Sequence, residues 1–232
     1  MMKGNIEKIK SQIRETLENC GREGDEVTLI AVSKTQPSSR INEAVSCGIT
    51  DIGENYAQEF IGKYSEILGK DKINFHFIGH LQKNKVKYIV DKVSLIHSLD
   101  SFELAKEIDK QSKKISKVTN VLIQVNLVNE PSKSGVDREN LYELISDVSK
   151  LENVKISGLM AIPPFYYDEQ ELKGYYSEMR RLFEDIKGKN FENVEMKYLS
   201  MGMSNDFAIA LKEGSNMIRI GTAIFGQRVY NK

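Results

Sequence analysis

The chain has 232 residues, within the range in which an α/β barrel runs as one unit, and we place no domain boundary in 1–232. Its 33 lysines and arginines balance 33 aspartates and glutamates, so no net field gathers nucleic acid or anionic lipid, and neither is an expected partner. Two cysteines without Cys-x-x-Cys spacing, and an acid-containing N-terminal segment without an apolar run, point to a cytoplasmic protein rather than a secreted or membrane-inserted one.

Ile6, Ile9, Ile13 and Leu17 recur at helical spacing and Gly21 and Gly24 end that pattern, which predicts an extra amphipathic helix ahead of everything else. Short apolar runs follow at 27–33, 49–53, 73–79, 93–98, 118–127, 153–162, 194–200 and 216–221, and each reads as a strand. Helical patterns separate them, among them Leu141, Leu144, Ile145 and Val148, and Leu172, Met179, Leu182, Phe183 and Ile186. Asp100 with Glu103 resembles a capping pair, and QKNKVK reads as a solvated helical face. Eight strands, the first seven each followed by a helix or a helix start, predict parallel pairing and a (β/α)8 TIM barrel. The rival, an open doubly wound sheet, usually carries a glycine-rich first turn, whereas SKTQPS after the first strand has no glycine.

In such a barrel the loops leaving the C-terminal strand ends share the face that carries chemistry. Polar residues at those ends are Lys34, Glu54 with Asn55, His80 with Gln82, His97, Asn126 with Lys133, Ser200 with Ser204, and Arg219 with Thr222. The sixth strand contributes Met160 and the Pro163-Pro164 pair instead. Lys34 either ends its strand in solvent or, desolvated by the barrel wall, serves as an amine nucleophile toward an aldehyde.

LSMGMSND and RIGTAIFG follow the seventh and eighth strands, where barrels of this kind cradle phosphate. Gly202 and Gly221 allow close backbone approach, Ser204 is placed to cap a short helix, and Thr222 offers a hydroxyl. The plainer alternative is two turns and a cap. Arg219, in an otherwise apolar strand, needs either a ligand nitrogen or a buried ion pair with Glu54. His76 reads as a satisfied barrel-lining residue, and the three histidines fall at no metal-ligand spacing, so no metal is expected.

Taken together, AVSKT, GENYAQE, HFIGHLQKNK, KSG, GLMAIPP, LSMGMS and RIGTAIFG resemble the pyridoxal phosphate homeostasis protein family, also called the YggS or PROSC family. The motifs run in family order from Ala31 to Gly226, and Ala57 stands where many members carry valine. The resemblance implies a barrel like the N-terminal domain of alanine racemase, with pyridoxal 5′-phosphate (PLP) held as a Schiff base on Lys34. It also implies that Ser200, Gly202, Met203, Ser204, Gly221 and Thr222 surround the phosphate, that Arg219 faces the pyridine nitrogen, and that Asn55 lies near the ring. Lys133 resembles a second family lysine that captures or hands over PLP.

An always-charged arginine beside the ring nitrogen disfavours its protonation and weakens the ring as an electron sink. Racemisation tolerates that arginine but needs acid and base groups on both faces of the substrate carbon, one of which an added β-domain supplies in the related racemases. The chain ends at Lys232, a few residues past the last strand. The expectation is therefore a monomeric carrier that buffers PLP, maintains its intracellular level and passes it to apo-enzymes. A low-turnover racemase-like enzyme is the alternative, and a sugar-phosphate or indole-type barrel enzyme would leave Lys34 without a role.

Overall fold

The computed structural model describes residues 2–128, 134–163 and 168–227. Helix α1 (Met2–Asn19) turns Ile6, Ile9, Ile13 and Leu17 inward, as their spacing requires. It ends at Gly21, whose φ of 69° suits a residue without Cβ.

The strands are β1 (Thr28–Val32), β2 (Asp51–Glu54), β3 (Asn74–Phe77), β4 (Leu95–Leu99), β5 (Thr119–Asn126), β6 (Val136–Asp137), β7 (Val154–Met160), β8 (Val194–Ser200) and β9 (Met217–Ile220). The helices after α1 are α2 (Ser38–Ser46), α3 (Ala57–Tyr64), α4 (Phe102–Lys114), α5 (Leu141–Val148), α6 (Glu169–Gly188), α7 (Phe207–Lys212) and α8 (Thr222–Phe225). Parallel pairing runs through β1, β2, β3, β4, β5, β7, β8 and β9 and returns to β1. This is the closed eight-stranded (β/α)8 barrel that the alternation predicts. Strand β6 is a two-residue addition at the end of β5, too short to leave an alternating pattern in the sequence.

Three local expectations are corrected. QKNKVK forms a 3-10 helix (Lys83–Tyr88) whose Val86 is fully buried, so the segment is anchored rather than wholly solvated. The N-cap of α4 is Ser101, not Asp100, and makes no side-chain cap bond. The N-cap of α7 is Asp206, not Ser204, because the Asp206 carboxylate accepts the Met203 N–H at 2.5 Å and tightens the loop before the helix.

Side chains alternate across the barrel wall, as strand geometry demands. Phe75, Phe77, Ile96, Val121, Ile123, Ile218 and Ile220 point outward into the main apolar layer beneath the helices. Ile30, Leu95, Leu122, Met160 and Met217 form a smaller apolar cluster with Tyr198 in the interior. No helix among the described residues is long and apolar enough to cross a membrane.

Candidate functional site

Register brings the sequence candidates to one end of the barrel. Ala31 pairs with Ile220 and Val32 with Gly53, so the loops after β1, β2 and β9 are neighbours. A Cβ on Gly221 would touch the Val32 carbonyl and side chain at 3.5 Å. Lys34, two residues past Val32 and half-buried, therefore starts beside the loop that opens α8. On the other flank the Arg219 N–H donates to the Gly202 carbonyl at 3.0 Å, tying the loop after β8 to β9. Gly202 adopts φ 94°, and a Cβ there would lie 2.7 Å from Ala210 Cβ, so the close approach of this loop to α7 requires glycine.

Arg219 is buried, and burial pulls its pKa below the ordinary arginine value, against the opposing influence of Tyr176 and Asp206. Its Nη1 donates to the Ser200 carbonyl at 2.8 Å and to Ser200 Oγ at 2.6 Å, while Nη2 donates to the Ala161 carbonyl at 2.8 Å. The ion pair with Glu54, the alternative to a ligand nitrogen, is not formed. Glu54 pairs instead with Lys63 at 2.8 Å and accepts the Ser33 hydroxyl. Burial raises the Glu54 pKa more than Lys63 and Ser33 lower it.

Ser200 Oγ continues into a chain that the sequence does not announce. His97 Nδ1 lies 3.1 Å from it, His97 Nε2 lies 3.0 Å from His76 Nδ1, and His76 Nε2 lies 2.9 Å from Asp51 Oδ1. One arrangement satisfies every atom with both imidazoles neutral: Ser200 donates to His97, His97 to His76, and His76 to Asp51. His97 belongs to this interior chain within β4, not to the mouth. Burial, with the Arg219 charge adding to it, holds its pKa well below 6.5. Burial is the largest single influence on Asp51 and pushes upward, but bonds from His76, Thr50 and Asn74 together keep its pKa below the usual carboxylate value. A cavity of about 300 Å³ borders Asp51 and His76 at the N-terminal end of the strands, opposite the mouth.

At the mouth, Glu54 Oε2 and Asn55 Oδ1 are buried without a hydrogen-bond partner among the described residues. Ser204 is half-buried and Thr222 is exposed. Lys133 and Pro164 lie outside the described residues. Lys63 was missed in the sequence. Its signal is its position three residues after the buried Phe60, which turns it toward the apolar face of α3.

A closed parallel barrel with a lysine after the first strand, an inward arginine on the last, and glycine-bearing loops between them is a barrel of the alanine racemase N-terminal type. The alanine racemase N-terminal domain family matches residues 5–229. The pyridoxal phosphate homeostasis protein of Aquifex aeolicus is 43% identical over 225 residues, 97% of each chain. That of Escherichia coli is 38% identical over 230 residues, 98% of this chain and 97% of the relative. The chain belongs to the pyridoxal phosphate homeostasis protein family. PipY of Synechococcus elongatus, solved with PLP bound, superposes with a TM-score of 0.87 at 31% identity, covering 97% of this chain and 100% of PipY. Alanine racemase of Clostridium difficile shares the fold at a TM-score of 0.70 and 14% identity, with 99% of this chain matched to 57% of the enzyme.

Proposed function

We propose that this protein binds PLP covalently at Lys34 and acts in the cytoplasm as a monomeric carrier that maintains the PLP level and passes the cofactor to apo-enzymes, without sustained catalysis. The observation that carries the reading is the register of β1 against β9, which sets the Lys34 turn beside Gly221 with Arg219 two residues before that glycine, on β9. When bound, PLP supplies an aldehyde and an electron-accepting ring. In this reading Gly202, Met203, Ser204, Gly221 and Thr222 surround the phosphate, while Ser200, expected among them, is fully buried with its hydroxyl on Arg219 and His97 and so holds Arg219 toward the pyridine nitrogen. Asn55, whose Oδ1 has no partner among the described residues, lies near the ring. Lys133 is a second, transient attachment point. The relatives named for pyridoxal phosphate homeostasis and the PLP-bound PipY support this assignment.

Arg219 supports the non-catalytic role. Its guanidinium is fixed by two carbonyls and a hydroxyl, cannot give up its proton at neutral pH, and leaves a neighbouring ring nitrogen unprotonated. Borohydride reduction of PLP-loaded protein followed by peptide mass mapping is expected to label Lys34, and Lys34→Ala is expected to lose the yellow absorbance. Retention of that absorbance by Lys34→Ala would refute the assignment. Incubation of loaded protein with L- and D-amino acids in deuterated water is expected to give no sustained loss of the α-proton signal. Exchange at enzymatic rates would establish the racemase alternative instead.

A further inference from the structure

Ser33, Lys34, Thr35 and Gln36 form a turn closed by the Gln36 N–H to the Ser33 carbonyl at 3.0 Å. Its third residue, Thr35, has φ 63°. Turns with a positive φ at that position take glycine or asparagine, and a β-branched residue there is an outlier held only where its surroundings over-determine it. The surroundings here converge on one ammonium. Lys63 Nζ donates to the Ser33 carbonyl at 3.0 Å and to the Gln36 carbonyl at 3.2 Å, gripping both ends of the turn. It also meets Glu59 Oε1 at 2.7 Å and Glu54 Oε1 at 2.8 Å. The same Glu59 oxygen accepts the Thr35 N–H at 2.7 Å, and Glu54 accepts the Ser33 hydroxyl. Lys63 is 8% exposed.

A buried ion pair alone is poor evidence of a stabilising role, because desolvation offsets its attraction. These partners are chosen differently: among the described residues the hydrogen bonds of Lys63 beyond the two carboxylates go to the backbone flanking Lys34, while Glu59 holds the Thr35 N–H and Glu54 holds the Ser33 side-chain hydroxyl. We infer that Lys63, supported by Glu59 and Glu54, is a positioning residue that locks the Lys34 turn in a strained conformation and so presents the Lys34 amine in one orientation. The inference rests on the reading of Lys34 as the covalent site. In the step it assists, the amine nitrogen bonds to the aldehyde carbon and the aldehyde oxygen leaves as water with both amine protons, so no oxidant or reductant is needed. Without the clamp Thr35 relaxes to negative φ, and the productive turn falls in population by about tenfold, the ratio that left-handed strain on a non-glycine residue sets.

The test compares wild type, Lys63→Met, Lys63→Arg and the Lys63→Met, Thr35→Gly double variant. Two readouts are needed: formation of the yellow imine with PLP, and affinity for pyridoxine 5′-phosphate, which carries the phosphate and ring but no aldehyde. Lys63→Met is expected to form the imine about tenfold less readily while holding pyridoxine 5′-phosphate within about twofold, the scatter of independent sites. Lys63→Arg is expected to recover part of the loss. Thr35→Gly is expected to restore most of it in the Lys63→Met background, because glycine adopts the turn without strain. Wild-type imine formation in Lys63→Met, equal weakening of both ligands, or no rescue by Thr35→Gly each overturns the inference. If Lys63→Met does not fold, Glu59→Gln with and without Thr35→Gly carries the same comparison. Wild-type protein lacking borohydride label at Lys34 refutes the covalent-site reading itself, a distinct result.

Discussion

The interior histidine chain makes a quantitative prediction about acid stability. His97 is completely enclosed, and burial together with the Arg219 charge holds its pKa well below 6.5. In the unfolded chain the imidazole regains its ordinary value, so below pH 6.5 the unfolded state takes up a proton that the folded state refuses. Stability from this group is therefore full above pH 6.5 and erodes as pH falls from there toward the depressed folded value. One proton of difference is worth about 1.4 kcal/mol per pH unit, so lowering the pH from 6.5 to 5 removes at most about 2 kcal/mol. Urea unfolding of wild type and His97→Gln at pH 7 and pH 5 isolates it. Glutamine can keep one donor and one acceptor in the chain but cannot titrate, and the surface carboxylates act alike in both proteins. The variant is expected to lose less stability than wild type on acidification, by up to about 2 kcal/mol. Identical pH dependence in the two proteins would show that His97 is charged in the folded state and that the neutral chain from Ser200 to Asp51 is wrong.

Glu54 has the opposite sign: burial raises its folded pKa above 4.5, so its contribution to stability falls as pH rises from 4.5 toward the folded value. Glu54→Gln is expected to lack this decline, which denaturant midpoints between pH 4.5 and 7 would reveal as a difference in slope. Gly202→Ala places a methyl 2.7 Å from Ala210 Cβ at a φ of 94°, and is expected to cost about 2 kcal/mol in thermal unfolding. Unchanged stability there would mean that the loop after β8 shifts freely. Thr222→Val removes a hydroxyl from the proposed phosphate loop at nearly constant shape and is expected to weaken PLP binding by about tenfold. Lys34 labelling at saturating PLP should persist in that variant, and an unaltered affinity would remove Thr222 from the site.

The barrel was legible because each strand is an apolar run bounded by polar residues, and closure follows once eight of them alternate with helices. Lys34, Gly202, Gly221 and Thr222 were legible for a related reason: a strand end fixes the face on which its loop lies. Lys63 was not, since four residues after Glu59 it reads as an ordinary exposed helix pair. Only the packing of Phe60 against Phe75 and Tyr64 turns that face of α3 onto the Lys34 turn. The chain of Asp51, His76 and His97 was hidden because its members stand about one per strand at separations of 25 and 21 residues, and nothing but inter-strand register places their rings in contact. The sequence shows that Arg219 needs a partner but not which one, because Glu54, the nearest acid at a strand end by pattern, faces Lys63 instead.

These two buried polar systems divide the electrostatics of the mouth between them. Lys63 is neutralised locally by Glu54 and Glu59 and works on backbone. Among the described residues the hydrogen-bonded partners of Arg219 include no carboxylate; its bonds go to two carbonyls and to Ser200, with Asp51 at the far end of the relay and Asp206 acting through space. The positive charge at the inner end of the site is thus only remotely compensated. Such a charge attracts a phosphate ester while opposing protonation of any nitrogen placed against it. Under the proposed assignment, a site tuned in this way favours holding the cofactor over activating it, the balance that a carrier requires.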